Sequence, residues 1–524
     1  MNIKEIEREI DSAFEDSILT SIPYSQAVWE LLSYLEYKHY QLTNMNGSSH
    51  DKSAGVDNMI NFITHPLRVC FKKCKRKKYA ITSYYSKPNA NAAHEWYEKS
   101  SSYNNFCSIF PLFHSGVLSI EAIRDELKTN KDLSQGIPYE AYNRFFHKTG
   151  SHEQSNVDTL SILQSIKEYS FYFNGKLAIS WNSSLSKTVT SIFEQSQSVR
   201  YHLPEHWQFS HFALGEFRKI AITISALSYA RYAITTINAE QFPENGYSQR
   251  VWVIPKNELI RILTESSGYE ESKIVSILEY LTFGAKGIIH PDVATQPLFD
   301  CEDGNYAISP FLFINSDIER NICVLLNQIE DDKIIYSSLV DEKEKILYKD
   351  IKNKLSSQGY RCESGKVSGT DLDLAIIDEK NKTVLTVELK WFIEPAEVRE
   401  INKRSQEIKK GIKQAKIIQS LLNSHDENLY KNILKIDSNY SHYSIVGSFN
   451  WIGYDLIQDK KIPVIKIGHL LSIIESEKNL EGVISILKNR QYLPIPNIDY
   501  KVVTFSIKSG NWTCKWYGLK SLTE

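Results

Sequence analysis

The sequence predicts a multidomain protein in which a mainly α-helical N-terminal region is followed by an α/β domain with a central mixed sheet. With 524 residues, the chain exceeds the roughly 250–300 residues at which one hydrophobic core usually stops growing. Up to about residue 330, apolar residues recur at three- and four-residue spacing, which indicates amphipathic helices. From about residue 336, apolar runs of strand length alternate with helical patterns, as is typical of an α/β unit.

The composition is that of an ordinary globular protein, with 42% hydrophobic and 24% charged residues. The formal net charge of -2 gives no sign of a polyanionic partner, so any nucleic-acid surface must be local. The seven cysteines are scattered, which favours a reducing compartment over a disulfide framework. Because the N-terminus lacks a signal-peptide pattern and no apolar run reaches the roughly 20 residues that span a bilayer, we expect a cytoplasmic protein with no membrane association.

Residues 1–250 are expected to form one or more helical domains of unknown role. The apolar stretch Ile220–Ala230 predicts a buried helix. His65, Cys70 and Cys74 come nearest to a zinc motif, but a fourth ligand at zinc-like spacing is missing, so no zinc site is predicted.

The densest positive cluster is the basic run from Lys72 to Lys78, which has aromatic neighbours on both sides. Its cations, with Lys75 and Arg76 at the centre, could contact phosphates while the aromatic rings stack on bases. The alternative is a solvated basic helix face beside core aromatics. The sequence leaves both interpretations open.

Residues 251–330 form a segment with the order helix, turn, helix and hairpin. The helices are predicted at residues 255–264 and 270–281, and the hairpin around Glu302. This order is compatible with a winged helix that reads DNA, but it also arises in ordinary structural packing.

Residues 331–480 predict the α/β domain. Its elements are a helix to Leu355, two strands, a polar turn, a third strand, a long helix from Pro395 to about Leu422, two strands and a last helix. Residues 481–524 predict a C-terminal extension made of a short helix and a β-hairpin.

The central strands of this domain carry the predicted chemistry. Glu388 and Lys390 share a strand face because they are two residues apart, and pairing with the preceding strand brings Asp373 to them. Two close carboxylates favour a hard divalent cation, Mg²⁺ or Mn²⁺, and a neighbouring ammonium can orient water or stabilise charge on phosphorus. Strict alternation places Asp371, Asp373, Ala375 and Ile377 on one face of the preceding strand and Leu372, Leu374 and Ile376 on the other.

These residues resemble the PD-(D/E)xK nuclease superfamily, which has the restriction-endonuclease-like fold. The match consists of Asp373 and the run Glu388-Leu-Lys390, and it covers residues 336–475, about a quarter of the chain. The resemblance implies metal-dependent phosphodiester hydrolysis, with Asp373 and Glu388 as metal ligands and Lys390 as a catalytic cation. Asp371 is a further candidate ligand, although it could instead cap the turn after Gly369.

Two helices can complete the site by the same resemblance. The first core helix often supplies a Glu, and Glu344 lies on its predicted inward stripe; Glu342 is the reserve, and a ligand one turn later would fall on Tyr348. The helix after the third strand often carries a Gln or Lys that approaches the active site or the DNA. Gln414 is the corresponding catalytic candidate, and the candidates for nucleic-acid contact on this helix are Arg399, Lys403, Lys410 and Lys413.

The leading functional hypothesis is a metal-dependent endonuclease that hydrolyses DNA, with duplex DNA as the favoured partner. Its architecture suggests a prokaryotic restriction or anti-phage defence effector, with a homo-oligomer or a defence-system protein as a possible further partner. One alternative is a non-catalytic DNA-binding or scaffold protein with a nuclease-like fold, and another is a nuclease that acts on RNA.

Overall fold

The structure, a computed structural model, describes residues 2–46, 49–76, 86–130, 133–145, 157–173, 176–197, 203–238, 246–301, 303–392, 398–449, 452–453 and 457–522. Within this part of the chain, the N-terminal region is mainly helical and several small sheets follow along the chain. The predicted mixture of a helical region and an α/β region is therefore confirmed.

The helices are, in chain order, α1 (Ile3–Glu15), α2 (Tyr24–Thr43), α3 (Ser49–Lys73), α4 (Lys87–His114), α5 (Leu133–Phe145), α6 (Thr159–Ile166), α7 (Ser183–Gln197), α8 (Leu214–Ile237), α9 (Lys256–Ser267), α10 (Glu271–Leu281), α11 (Pro310–Ile314), α12 (Ile318–Leu326), α13 (Glu330–Ser338), α14 (Val340–Ser357), α15 (Val398–Asn423), α16 (Ile467–Glu477) and α17 (Leu480–Lys488). The strands are β1 (Ile120–Ile123), β2 (Glu126–Thr129), β3 (Ser170–Phe173), β4 (Lys176–Ile179), β5 (Trp252–Pro255), β6 (Leu298–Asp300), β7 (Asn305–Ile308), β8 (Arg361–Val367), β9 (Thr370–Asp378), β10 (Thr383–Lys390), β11 (Ser441–Ser448), β12 (Val464–Lys466), β13 (Tyr500–Ser509) and β14 (Trp512–Ser521).

The chain divides into two compact units, each built from separated stretches of sequence. The first unit comprises residues 1–106, 153–339 and 507–513, and the second comprises residues 107–152, 340–506 and 514–524. The sequence-based division into contiguous domains does not follow this pattern, because residues far apart in the chain share one core.

In the first unit, α8 is the central buried helix. The predicted buried stretch Ile220–Ala230 lies inside it, and its residues are almost all buried. Among the described residues, α8 is also long and apolar enough to cross a membrane, but 78% of its most apolar window is buried inside the protein. α8 is therefore a core helix of the first unit.

The segment predicted as a possible winged helix contains the two expected helices and the expected hairpin. Strand β5 precedes α9 and α10, and the hairpin of β6 and β7 follows them. The three strands form an antiparallel sheet in the order β5-β7-β6. Helix α9 ends at Gly268, whose φ of 80° is the left-handed conformation that glycine adopts most easily.

The second unit contains a five-stranded mixed sheet in the order β12-β11-β10-β9-β8. Strands β8, β9 and β10 pair antiparallel, whereas β10, β11 and β12 are parallel. The connection between the parallel strands β10 and β11 contains α15, as a crossover requires. Helix α15 packs against β9, β10 and β11, and α14 packs against β8.

The pairing of β8 with β9 is irregular at the position where Asp373 lies. Glu363 pairs with Ala375, but Gly365 pairs with Leu372, so the register shifts between them. The predicted strict alternation was therefore wrong at Leu372, which joins the core cluster of Ala375 and Ile377 instead of the cluster of Leu374. A bulge of this kind redirects side chains locally and is frequent beside active sites.

Candidate active site

Glu388 and Lys390 lie at the end of β10, under helix α15. Glu388 is buried and Lys390 is partly exposed. Gly411 in α15 permits this arrangement, because a Cβ atom at Gly411 would lie 3.1 Å from Cε of Lys390 and 3.4 Å from Cγ of Glu388. The helix backbone therefore closes over both side chains, and a Cβ atom here would require Lys390 to shift by a few tenths of an ångström.

Asp373 reaches the same place from β9. One of its carboxylate oxygens accepts a hydrogen bond of 2.8 Å from the backbone N–H of Leu389, the residue between Glu388 and Lys390. This bond fixes the Asp373 side chain across the strand pair. The predicted gathering of Asp373, Glu388 and Lys390 is present in the structure.

The Lys390 ammonium connects the strands to helix α15. It donates hydrogen bonds to Oε1 of Glu388 at 2.8 Å and to Oε1 of Gln414 at 3.3 Å. The amide nitrogen of Gln414 in turn donates to the hydroxyl of Thr370 at the start of β9, at 3.5 Å. Gln414 thus holds Lys390 in position and is itself held by Thr370.

The two carboxyl groups at the site are electrostatically strained. Burial, and after it the negative charge of Asp373, raise the pKa of Glu388 to about 7 against the opposing effect of Lys390. Burial also raises the pKa of Asp373, while the Leu389 N–H and Lys390 lower it. Either a proton or a cation is needed to relieve the repulsion between two buried carboxylates.

The donor set fits a hard divalent cation held mainly by two carboxylates. Mg²⁺ usually keeps several water ligands and binds proteins through one or two carboxylates together with substrate phosphates. Among the described residues, no group of three or more His, Cys, Asp or Glu side chains is placed to hold a metal. Of the four metal ligands expected from the sequence, the structure thus brings together only the pair of Asp373 and Glu388 within the described residues.

The structure corrects the prediction that Glu344 faces inward. Glu344 is exposed, whereas Lys343 is buried together with Leu347 and Ile351. The buried positions of α14 are four residues apart, which is about one helical turn. Leu347 lies four residues before Ile351, and Lys343 lies four residues before Leu347. Glu344 acts on the site only through its charge, which raises the pKa of Asp373.

The other candidates on α14 and β9 lie outside the central pair as well. Asp371 is exposed, and its charge raises the pKa of Asp373. Glu342 is partly exposed, and Tyr348 packs against the hydrophobic core of the second unit. Of these three residues, Asp371 is close enough to Asp373 to act on it through its charge.

The basic residues of α15 differ in their exposure and in the side chains that they contact. Lys403, Lys409 and Lys413 are exposed. Lys410 forms an ion pair with Glu407 at 2.6 Å, and Lys416 forms one with Asp459. The Arg404 guanidinium lies 5.2 Å from the centre of the Phe392 ring. The side chain of Arg399 and the predicted helix start at Pro395 lie outside the described residues.

The basic run of the first unit is tied into the fold. Lys73 forms an ion pair of 2.7 Å with Glu15. The Arg76 guanidinium lies over the rings of Tyr24 and Phe71, at 4.8 and 4.5 Å. Lys75 is exposed, and residues 77–85, which include the rest of the run, lie outside the described residues. These contacts favour the interpretation as a structural basic face.

Two candidates from the sequence analysis remain in the first unit, His65 and the winged-helix-like segment, and both make contacts within the protein. His65 donates a 3.0 Å hydrogen bond from Nε2 to the amide oxygen of Asn104, and desolvation of its ring lowers its pKa to about 4. Helix α10 of the winged-helix-like segment presents Glu271 and Glu279, and its Lys273 pairs with Glu216 at 2.8 Å. An acidic helix of this kind does not match the negative backbone of DNA.

Thr370 and Gly411 are site residues that the sequence analysis did not select. Gly411 could have been noticed, because a glycine in a helix interior costs about 1 kcal/mol relative to alanine and often marks close packing. Thr370 gives no comparable signal, since its role depends on the partner that the fold brings to it.

Comparison of the chain with protein-family models, with curated proteins and with solved structures finds no match.

Proposed function

We propose that this protein is a metal-dependent endonuclease of the PD-(D/E)xK type that hydrolyses phosphodiester bonds in DNA. The observation that carries the proposal is the contact of Glu388 with both Asp373 and Lys390 in a buried position under α15. Burying two carboxylates together is unfavourable for stability, which is the expected mark of a functional site.

Asp373 and Glu388 would hold the Mg²⁺ or Mn²⁺ ion through their carboxylate oxygens. When bound there, such an ion lowers the pKa of a water ligand and polarises the scissile phosphate. The Lys390 ammonium has three protons, and it donates two hydrogen bonds in the structure, to Glu388 and to Gln414. A proton of this group can orient the attacking water or stabilise the charge that develops on phosphorus.

The exposed lysines of α15 support a nucleic acid as substrate. They lie on the helix whose Gln414 contacts Lys390, so a phosphate backbone bound along α15 would reach the carboxylates. The proposal extends to a role in prokaryotic restriction or anti-phage defence, which a comparison of phage plating on cells with wild-type protein and with Asp373→Ala would test.

The central test is a cleavage assay on plasmid, linear duplex, single-stranded DNA and RNA, with Mg²⁺, with Mn²⁺ and with EDTA. We expect cleavage of DNA that needs the metal and is lost in Asp373→Ala and in Lys390→Ala. Lys380→Ala is the matched control, because Lys380 is an exposed residue of the turn between β9 and β10. It should retain full activity.

Two outcomes would contradict the proposal. If cleavage persists in both site variants, the activity does not come from this site. If DNA is bound but never cut under any metal condition, the protein is a binding or scaffold protein. Cleavage of RNA alone would keep the site and change the substrate.

A further inference from the structure

Strand β13 lies at the edge of a four-stranded sheet. The sheet has the order β1-β2-β14-β13, and two residues connect β13 to β14. Within the described part of the chain, no strand pairs with the outer edge of β13. The N–H of Asn497 reaches only its first residue, where it donates to the carbonyl oxygen of Tyr500 at 2.7 Å. An unpaired strand edge presents a row of N–H and C=O groups that can bind one further strand.

The pairing with β14 shows which backbone groups of β13 point outwards. The N–H of Leu522, directly after β14, donates to the carbonyl oxygen of Asp499, directly before β13, at 2.8 Å. In an antiparallel pair, the backbone groups of successive residues point alternately towards the partner strand and away from it. Since Asp499 faces β14, the odd-numbered residues of β13 do as well. Val502, Thr504 and Ser506 therefore present their N–H and C=O groups at the outer edge.

The side chains of this segment are uncharged and largely exposed. Val502 is 40% exposed and Phe505 is 39% exposed, and Thr504 and Ser506 are exposed as well. Residues 502–506 contain no charged residue, proline or glycine, and four of the five are β-branched or aromatic. An exposed edge with high β propensity and no charge readily pairs with another chain. The outer edge of β13 is therefore a surface for strand pairing.

The opposite edge of the same sheet is protected against such pairing. Strand β1 has only four residues, Ile120–Ile123, and it carries the exposed carboxylate of Glu121. Short length and charge are two of the features by which proteins prevent association at a sheet edge. Strand β13 has ten residues and lacks charge in its centre. This difference assigns association to β13 and not to β1.

We propose that two copies of this chain associate through β13, whose outer edges pair antiparallel to form one continuous eight-stranded sheet. A two-fold axis perpendicular to the sheet places an edge strand antiparallel to its own copy, so that the assembly is closed at two chains. With the axis at Thr504, the outward-pointing backbone groups meet each other. Thr504 then lies opposite Thr504, and Val502 lies opposite Ser506.

The strand is complementary to itself in this register, which favours a second copy over another protein. Val503 and Phe505 share the face above Gly518 of β14, where a Cβ atom would lie 3.7 and 3.3 Å from them. Across the two-fold axis, Val503 lies opposite Phe505 twice, in the pairs whose side chains approach most closely. Lys501 and Lys508 do not come opposite each other, so like charges do not meet. The pairing does not depend on the proposed nuclease function.

The first experiment measures the mass of the full chain by sedimentation equilibrium over a wide range of protein concentrations. We expect the mass to rise with concentration from one chain to two. Thr504→Pro removes an outward N–H that β14 does not use, and Phe505→Lys places a charge at the interface. Each should raise the dissociation constant of the dimer about 10-fold or more. Ile123→Lys is the matched control, because it makes the same change at a 40% exposed residue of the opposite edge. It should leave the dissociation constant unchanged.

The second experiment tests the antiparallel register with a short cysteine-specific cross-linker. Thr504→Cys should give cross-linked dimers by itself, since the two copies of this residue lie opposite each other. Val502→Cys should cross-link efficiently only when it is mixed with Ser506→Cys. The wild type, treated in the same way, gives the background from the seven native cysteines.

The outcomes are independent of the cleavage assay, because mass and cross-linking are measured without a substrate. A chain that stays monomeric at every concentration overturns the proposal. A dimer that survives both Thr504→Pro and Phe505→Lys uses another surface, which also overturns it, and so does an open-ended assembly. Circular dichroism shows whether each variant is folded. If Thr504→Pro does not fold, Phe505→Lys and the cross-links decide the question.

Discussion

At the scale of single residues, Glu388 determines the chemistry of the site. It is 4% exposed and lies beside a second carboxylate, Asp373. Its pKa of about 7 means that a proton and a divalent cation compete for the same oxygens near neutral pH. The positive charge of Lys390 lowers the pKa of Glu388 but does not offset the rise caused by burial and by Asp373.

The competition predicts a pH profile that depends on metal concentration. At subsaturating Mg²⁺, cleavage should rise about tenfold per pH unit below about pH 7, because only the ionised Glu388, with its pKa of about 7, binds the metal. At higher Mg²⁺ the midpoint should move to lower pH. The measurement is the initial cleavage rate from pH 5 to 9 at several Mg²⁺ concentrations. A midpoint that is independent of Mg²⁺ would contradict this view of Glu388.

The raised pKa of Glu388 also has a consequence for stability. Since the folded state holds this proton up to about pH 7 and the unfolded state only up to about 4.5, the free energy of unfolding decreases as pH rises between these values. Glu388→Gln keeps the shape and removes the charge. In EDTA at pH 8, it should unfold at a higher temperature than the wild type, with a gain on the order of 1–3 kcal/mol. At pH 4 the two proteins should be equally stable.

At the scale of secondary-structure elements, the approach of α15 to β10 depends on Gly411. Gly411→Ala should displace the Lys390 side chain, which would lie 3.1 Å from the new Cβ, and reduce kcat about 10-fold or more. Helix propensity would by itself stabilise the variant by about 1 kcal/mol. Gly468→Ala in α16, where a Cβ meets nothing within 4 Å, is the matched control for kcat and for thermal stability.

Helix geometry predicts which face of α15 contacts the DNA in the proposed function. Gln414, Lys410 and Lys403 are separated by four and seven residues and lie on one stripe, whereas Lys409 is roughly 140° around the helix axis from Gln414. Lys403→Glu should weaken DNA binding about 10-fold and reduce its salt dependence. Lys409→Glu makes the same charge change at another exposed position and should alter binding less than about twofold. Titrations with a labelled DNA at several salt concentrations would measure both, and equal effects would contradict the assignment.

The irregular pairing of β8 with β9 shows that the residue pattern of one strand does not by itself determine to which face each side chain points. Alternation of residues 368–378 correctly predicted a strand and brought Asp373 towards β10. It misplaced Leu372, because a register shift depends on the partner strand, which the pattern of one strand does not contain.

At the scale of the whole molecule, the second unit uses residues from a distant part of the chain. Tyr142 in α5 hydrogen bonds to the ring of His469 at 2.9 Å and to the N–H of Lys466 at 3.2 Å. Asn143 donates to the carbonyl oxygen of Gly453 at 2.8 Å. Both residues are buried, so helix α5 is part of this core and not an appendage.

We therefore expect the fragment of residues 331–480, the domain predicted from sequence, not to fold on its own. Without α5, it would expose the core that surrounds Tyr142. In the full chain, Tyr142→Ala should destabilise the second unit by about 3–5 kcal/mol. Circular dichroism and limited proteolysis would show whether the fragment folds, with the full chain as the reference. A fragment with a cooperative unfolding transition would contradict the shared core.

The sequence by itself determined the order of helices and strands from about residue 331 onward and the two strands that carry Asp373, Glu388 and Lys390, but not the hairpins β1–β2 and β3–β4 of the region expected to be helical. These features follow from hydrophobic periodicity and from spacing within one strand, which are local properties of the chain. The proximity of Gln414 to Lys390 was expected by resemblance, and the hydrogen bond between them is present.

Only the tertiary structure decided which neighbours complete the site. It placed Lys343 inward in place of Glu344, brought Thr370 to Gln414, closed Gly411 over Glu388, and joined α5 to the sheet of the second unit. Each of these contacts joins residues from different elements, and its geometry depends on how whole faces pack. The pattern of one segment carries no information about the segment that will cover it.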